Sequence, residues 1–219
     1  TWKNISSNLP ASAVNVIKED PANENMLYLG TDNGVYVSFN SGESWEAFSN
    51  GLPNVAVHDL VIQAEAKDLV LGTHGRSLYV ADISLLQQID LNKTNELILA
   101  DIEPIEYSRR WGNNYSQWSD TYEPSVEIQF YSPQDGKATI MIETEDGKEL
   151  QEYSIDMSKG VTIFNYDLTL SEIGIKTLEK SELKANKAKN GKTYLPIGNY
   201  VVIIKDKSKL VKVILSIKK

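Results

Sequence analysis

The stretch SFNSGESW, residues 38–45, sets Ser38, Asn40, Gly42 and Ser44 at alternate positions and ends on Trp45. It follows LYLGTDNGVYV at 27–37, in which apolar and polar residues alternate on either side of TDNG. Alternation over short runs is the pattern of half-buried strands, and a turn-forming tetrad between two of them makes a hairpin. Within the octet, the Ser38 hydroxyl and the Asn40 side chain can bond the backbone of a tight turn. Gly42 allows a positive φ, and the Trp45 indole is large enough to plug a gap between sheets. A bracing role therefore outranks direct contact with a sugar.

The same marks recur further along. Trp2 and Trp45, Leu9-Pro10 and Leu52-Pro53, Val14 and Val57, and Tyr36 and Tyr79 each stand 43 residues apart. LYLGT at 27–31 returns as LVLGT at 69–73. Three or four short strands per repeat of this length is the pattern of a β-propeller blade, whereas a helical repeat would show a 3.6-residue period. TWKNIS at the start is expected to be the last strand of a preceding blade, 14–48 a complete blade, and 55–83 three strands of another. Propellers close with about 4–8 blades, so partners are expected among upstream blades of the same protein.

These residues carry a resemblance. Residues 38–45 are similar to the Asp-box, the bacterial neuraminidase repeat, with Asn40 in the Asp place. The pattern DPxNxxxLYxGTxxGVYxSxxxGxxW, over residues 1–90, resembles the final blades of sortilin-like propellers from large exported bacterial proteins. The resemblance implies a Gram-negative source, an extracellular or cell-surface location, and a targeting signal upstream. Some relatives are xyloglucanase-like, with catalytic acids in the propeller cleft; nothing in this chain matches the segment that carries them.

Residues 91–123 lose the repeat register and read as a linker rich in aromatics, among them Tyr107, Trp111, Tyr115, Trp118 and Tyr122. Such rings either stack a ligand or mortar two domains together. From 124 the strands return, with turns at PQDG (133–136) and EDGK (145–148), about seven over the rest of the chain. That count without helices points to an immunoglobulin-like sandwich over 124–219. The order of strands and the turn LPIGNY at 195–200 resemble the flagellar hook-capping type of Ig-like domain, with Tyr166 in place of its tryptophan. A Lys-rich insertion, 170–193, departs from that pattern and is expected on the surface, partly helical or mobile. The ending NYVVIIKDKSKLVKVILSIKK has a cadence similar to type IX secretion tails.

Charge and composition exclude more than they select. The chain carries a net charge of −8, which disfavours a nucleic-acid partner. Residues 170–219 hold 12 basic and 4 acidic side chains, read as a solvated strand face. No apolar run approaches the ~20 residues of a membrane span. There is no cysteine, and His58 and His74 are the two histidines, too few for an imidazole triad. His74 and Arg76, in GTHGRS, are binding candidates near a propeller mouth. Asn4, Asn92 and Asn114 head N-x-S/T sequons.

The expectation is thus an all-β chain: the last blades of a propeller, then an Ig-like sandwich. Its function is expected to be non-catalytic, in protein or glycan binding and in docking or secretion, without metal or cofactor. Partners are a protein or polysaccharide ligand, or the outer-membrane secretion machinery. One alternative is the non-catalytic end of a polysaccharide hydrolase whose acids lie upstream. Another is carbohydrate binding by the aromatic segment, through Trp111, Tyr115, Trp118 and Tyr122.

Overall fold

The computed structural model describes residues 2–48, 51–89, 96–114, 116, 118–180, 183, 185, 187–207 and 209–219. The fold is all-β, in two units, residues 1–94 and 95–219.

In the first unit, β1 (Val14–Glu19), β2 (Leu27–Thr31), β3 (Gly34–Ser38) and β4 (Glu46–Ala47) form an antiparallel meander. The next three, β5 (Val57–Gln63), β6 (Asp68–Thr73) and β7 (Leu78–Asp82), form a second. The conspicuous residues of DPANENMLYLGT each have a local cause. Asp20 is buried; its carboxylate accepts from the backbone N–H of Ala22 (2.8 Å) and Asn23 (3.1 Å), which sets the turn into β2. It also accepts from the Tyr28 hydroxyl (3.1 Å) and from the Gln87 amide (3.0 Å). Burial, then the Asp20 charge, pushes the Tyr28 phenol far above its ordinary value. Gly30 lies where a Cβ would stand 2.7 Å from Val16 Cγ1 and 2.9 Å from the Val57 carbonyl oxygen, so a bare backbone lets the second sheet approach the first. The sheet face bearing Tyr28, Val35 and Val37 is buried on that side. After β7 the chain folds back through Ile83, Leu85, Leu86 and Ile89, all buried, around a 3-10 turn at Leu86–Gln88.

Of TWKNIS, expected to be a strand, residues 2–6 form none. Side-chain bonds to the 38–45 turn replace a ladder: Ser7 Oγ donates to the Glu43 carbonyl (2.7 Å), and the Asn8 amide bonds both backbone groups of Trp45 (2.8 and 2.9 Å). Trp2 lies fully exposed.

The second unit holds β8 (Ile98–Leu99), β9 (Ile105–Glu106), β10 (Asn113–Asn114), β11 (Thr121–Tyr122), β12 (Val126–Ser132), β13 (Gly136–Thr144), β14 (Glu149–Met157), β15 (Gly160–Tyr166), helix α1 (Glu172–Glu179), β16 (Gly198–Lys205) and β17 (Leu210–Lys218). One sheet has the order β15-β12-β8, another β14-β13-β16-β17-β9, and β10 and β11 pair with each other; among the described residues only the β17–β9 pairing is parallel. A single apolar core joins Ile128 and Phe130 of β12, Ile140 and Ile142 of β13, Tyr200 and Val202 of β16, and Leu215 of β17. Alternation places these side chains inward while Lys205, Lys212 and Lys218 point to solvent. The Tyr200 hydroxyl reaches back to donate to the Pro196 carbonyl (2.7 Å), tying the LPIGNY turn to β16.

Two boundaries differ from the sequence reading. Residues 98–106 were expected within a linker; β8 pairs with β12 in one sheet and β9 with β17 in the other. The Lys-rich insertion is not wholly on the surface. Ser171 caps α1, its hydroxyl accepting from the Gly174 N–H (3.0 Å) and donating to the Leu150 carbonyl (2.8 Å). Leu178, one turn beyond Gly174, is buried in the core, and a Cβ on Gly174 would collide with the Leu150 backbone. An apolar face four residues apart outweighs the lysines around it.

Candidate functional site

The two segments that break the strand pattern of the second unit, 107–123 and 170–193, meet at Gly112. This residue has φ of 68°, and a Cβ on it would stand 2.5 Å from Ala188 Cβ and 2.6 Å from Asn190 Oδ1. Its N–H donates to the Tyr122 carbonyl (2.8 Å), and its carbonyl accepts from Asn190 N–H (3.1 Å). Asn190 Nδ2 in turn donates to the Tyr194 hydroxyl (2.8 Å). On the other side, Lys187 pairs with Thr193 as a single bridge, and Ala188 N–H donates to the Lys192 carbonyl (2.8 Å). Lys192 clamps this small hairpin down through Glu123 (2.9 Å) and Asp167 (3.3 Å). The Glu123 bond, helped by Asp167, raises the Lys192 ammonium above its usual value.

Between these walls opens a cavity of about 460 Å³. Tyr107, Trp111 and Tyr194 line it edge to face, with ring centroids 5.1 Å apart for Tyr107–Trp111 and 6.1 Å for Trp111–Tyr194. Leu183, Pro196 and Ile197 add apolar surface. Among the described residues, the charged side chains on the lining are Arg109, Lys187 and Lys189. All three are exposed, and none makes an ion pair among the described residues. The arrangement suits non-covalent capture of a ligand with an apolar ring face and a negative group.

The aromatic residues singled out in the sequence divide. Trp111, 4% exposed, is a wall of the cavity and part of the core. Tyr122 is half-exposed with Arg110 6.0 Å from its ring centre, and Trp118 is 88% exposed; neither lines the cavity. Tyr115, like the Asn92 sequon, lies outside the described residues. Tyr194 and the lysines of 187–189 were not singled out, because no local pattern links them to residues 107–113; the Lys-rich composition was the available signal.

His74 and Arg76 belong to the first unit, and both are exposed. The His74 ring sits 5.4 Å from that of His58, edge to face. The first repeat puts a hydrogen-bonded pair at the matching positions, Asn15 Nδ2 to Asp32 Oδ1 (2.9 Å). In the 38–45 turn, Ser38 Oγ accepts from Gly42 N–H (2.8 Å) and Asn40 Oδ1 from Ser44 N–H (2.9 Å), while Asn40 Nδ2 donates to Ser44 Oγ (2.9 Å). Gly42 has φ of 85°, and the buried Trp45 donates its indole N–H to the Ile5 carbonyl (2.6 Å). The side chains of Ser38, Asn40 and Ser44 are thus engaged within the turn, which leaves them little to offer a ligand.

No family model and no curated protein matches the chain. Among solved structures it is similar to Drosophila Semaphorin 2a at 13% identity and a TM-score of 0.26, over 93% of this chain and 35% of that one. The chain thus spans about a third of the length of that protein, and a likeness at this score carries no argument about fold or function.

Proposed function

We propose that the chain is a non-catalytic binding and docking segment of a larger exported protein. The first unit is read as two neighbouring blades of a β-propeller, braced by an Asp-box at 38–45, and the second as an immunoglobulin-like sandwich. One observation carries the propeller reading. Leu78 and Val80 stand 43 residues after Val35 and Val37, on the same strand of the repeat. Val35 and Val37 are 0% and 3% exposed, whereas Leu78 and Val80 are 68% and 62% exposed. The first pair lies on the face that meets the second sheet; the second pair lies on the matching face, apolar and uncovered. With Val61 beside them at 55%, these residues are what a blade presents to its next neighbour. The crossing of β8 and β9 between the two sheets and the hook from Tyr200 to Pro196, which has the form of a tyrosine corner, support the Ig-like reading.

The test mixes residues 1–219 with the upstream blades of the natural protein and follows sedimentation. A one-to-one complex is expected, and Val80→Lys, with its charge in the contact, is expected to abolish it. A chain that stays monomeric, takes up no hydrophobic dye and ignores the upstream blades would sink the docking reading.

A second reading is favoured by the cavity at Tyr107, Trp111 and Tyr194: the Ig-like unit binds carbohydrate. The edge-to-face rings and the close packing of the walls at Gly112 support it, with Tyr107 rather than Trp118 as the exposed ring.

A further inference from the structure

We infer that the cavity between residues 107–113 and the segment carrying Lys187, Lys189 and Tyr194 selects anionic sugar units, carboxylated or sulfated, of an acidic polysaccharide. The inference rests on the carbohydrate reading above and adds the sign of the ligand's charge.

Charge selects first. Arg109, Lys187 and Lys189 are the charged side chains of the lining among the described residues, and no carboxylate stands among them. A negative group is attracted to three cations gathered at one cavity, which raises its local concentration there. Among the described residues the three cations make no ion pair, whereas Lys192, next in the same hairpin, is held by Glu123 and Asp167. The structure thus separates one clamping lysine from two that are left to act on a ligand.

Shape selects next. Tyr107 is 39% exposed and meets Trp111 edge to face, so the ring is held on one side while part of it stays accessible to the C–H face of a pyranose. Among the described lining residues, Lys187 is already paired with Thr193, Tyr194 with Thr169 and Asn113 with Tyr122, which leaves a peptide main chain little ladder to join. A nucleic acid would need a longer basic track and several open rings. Gly112, packed against Ala188 and Asn190, fixes both walls before any ligand arrives, which limits the ordering lost on binding.

Calorimetry on the whole chain tests this with four probes: tetragalacturonate, a sulfated tetrasaccharide, neutral cellotetraose and tetraglutamate. An anionic tetrasaccharide is expected to bind one-to-one and to weaken with added salt. Which of the two binds better identifies carboxylate or sulfate as the preferred group. The exposed double variant Lys187→Gln/Lys189→Gln is expected to lose about tenfold or more in affinity, the equivalent of one or two charge pairs, with an unchanged circular dichroism spectrum. Tyr107→Ala is expected to weaken both anionic sugars. Cellotetraose binding as tightly, indifferent to the lysine variant, would overturn the charge selection and leave the carbohydrate reading standing. Tetraglutamate binding as tightly would show that the cavity reads charge without a sugar, and would overturn the inference. No binding of any tetrasaccharide at millimolar concentration would overturn both.

Discussion

The two repeats of the first unit carry the same marks on different terms. In the first, Gly30 is wedged between Val16 and Val57; at the matching Gly72, the nearest atoms to an added Cβ all belong to Asp59, its Cβ at 3.5 Å, an ordinary contact. Val35 and Val37 are covered, and Leu78 and Val80 are not. Asn15 and Asp32 share a hydrogen bond where His58 and His74 share a ring contact. Burial here belongs to the neighbour and not to the repeat: the second copy has the chemistry of a covered sheet without the cover. The second unit makes the opposite choice, because its two sheets cover each other and share one core.

That contrast can be broken most forcefully by removing apolar volume from each unit. Phe130→Ala, in the closed core, is expected to destabilise the second unit by about 3–5 kcal/mol. Val80→Ala, on the open face, is expected to change the first by less than about 0.5 kcal/mol. Hydrogen exchange resolved by peptide reads the two units separately; comparable losses would mean that the face of β5–β7 is covered in solution. The glycines sharpen the comparison between repeats. Gly30→Ala must push against the Val57 backbone and is expected to cost about 1–3 kcal/mol, while Gly72→Ala has room and should be neutral or stabilising by up to about 1 kcal/mol. Equal effects in denaturant melts would mean that the second repeat has a neighbour at Gly72 after all.

The smallest effect is alkaline. Burial raises the phenols of Tyr166 and Tyr200 in the second unit, and of Tyr28 in the first. A folded value above the unfolded one means that the folded state holds the proton longer. The stability this contributes is complete below about pH 10 and falls as pH rises past it, by about 1.4 kcal/mol per pH unit for each such tyrosine. With two fully or largely buried phenols against one, the second unit is expected to lose protection faster between pH 10 and 11. Parallel loss in both units would assign the alkaline sensitivity to something other than these tyrosines.

Much of this architecture was legible because it is local. Strand alternation needs only neighbouring residues, and the turns at TDNG and EDGK are set by Gly34, with φ of 122°, and Gly147, with φ of 80°. The repeat was legible because LYLGT and LVLGT solve the same packing problem twice. What escaped is short or non-local. Strands β8 and β9 have two residues each, too few to show a period. Leu178 is one apolar residue in a lysine-rich stretch, and only the packing of α1 against β14 assigns it to the core. Trp111 sits in a Gly- and Asn-rich segment that reads as open loop, yet its ring is walled in by Tyr107 and Tyr194.

The sequence by itself determined an all-β chain, its meander of strands, the internal bonding of the 38–45 turn and an acidic body with a basic final quarter. Those follow from period-2 alternation, turn chemistry and charge counts, which act over a few residues. Only the tertiary structure decided which of two equivalent apolar faces is covered, that residues 98–106 belong to both sheets of the second unit, and that Tyr107, Arg109, Lys187 and Lys189 share one cavity. Those depend on which distant segments meet, and contact between them is fixed by the packing of the whole unit rather than by any stretch within it.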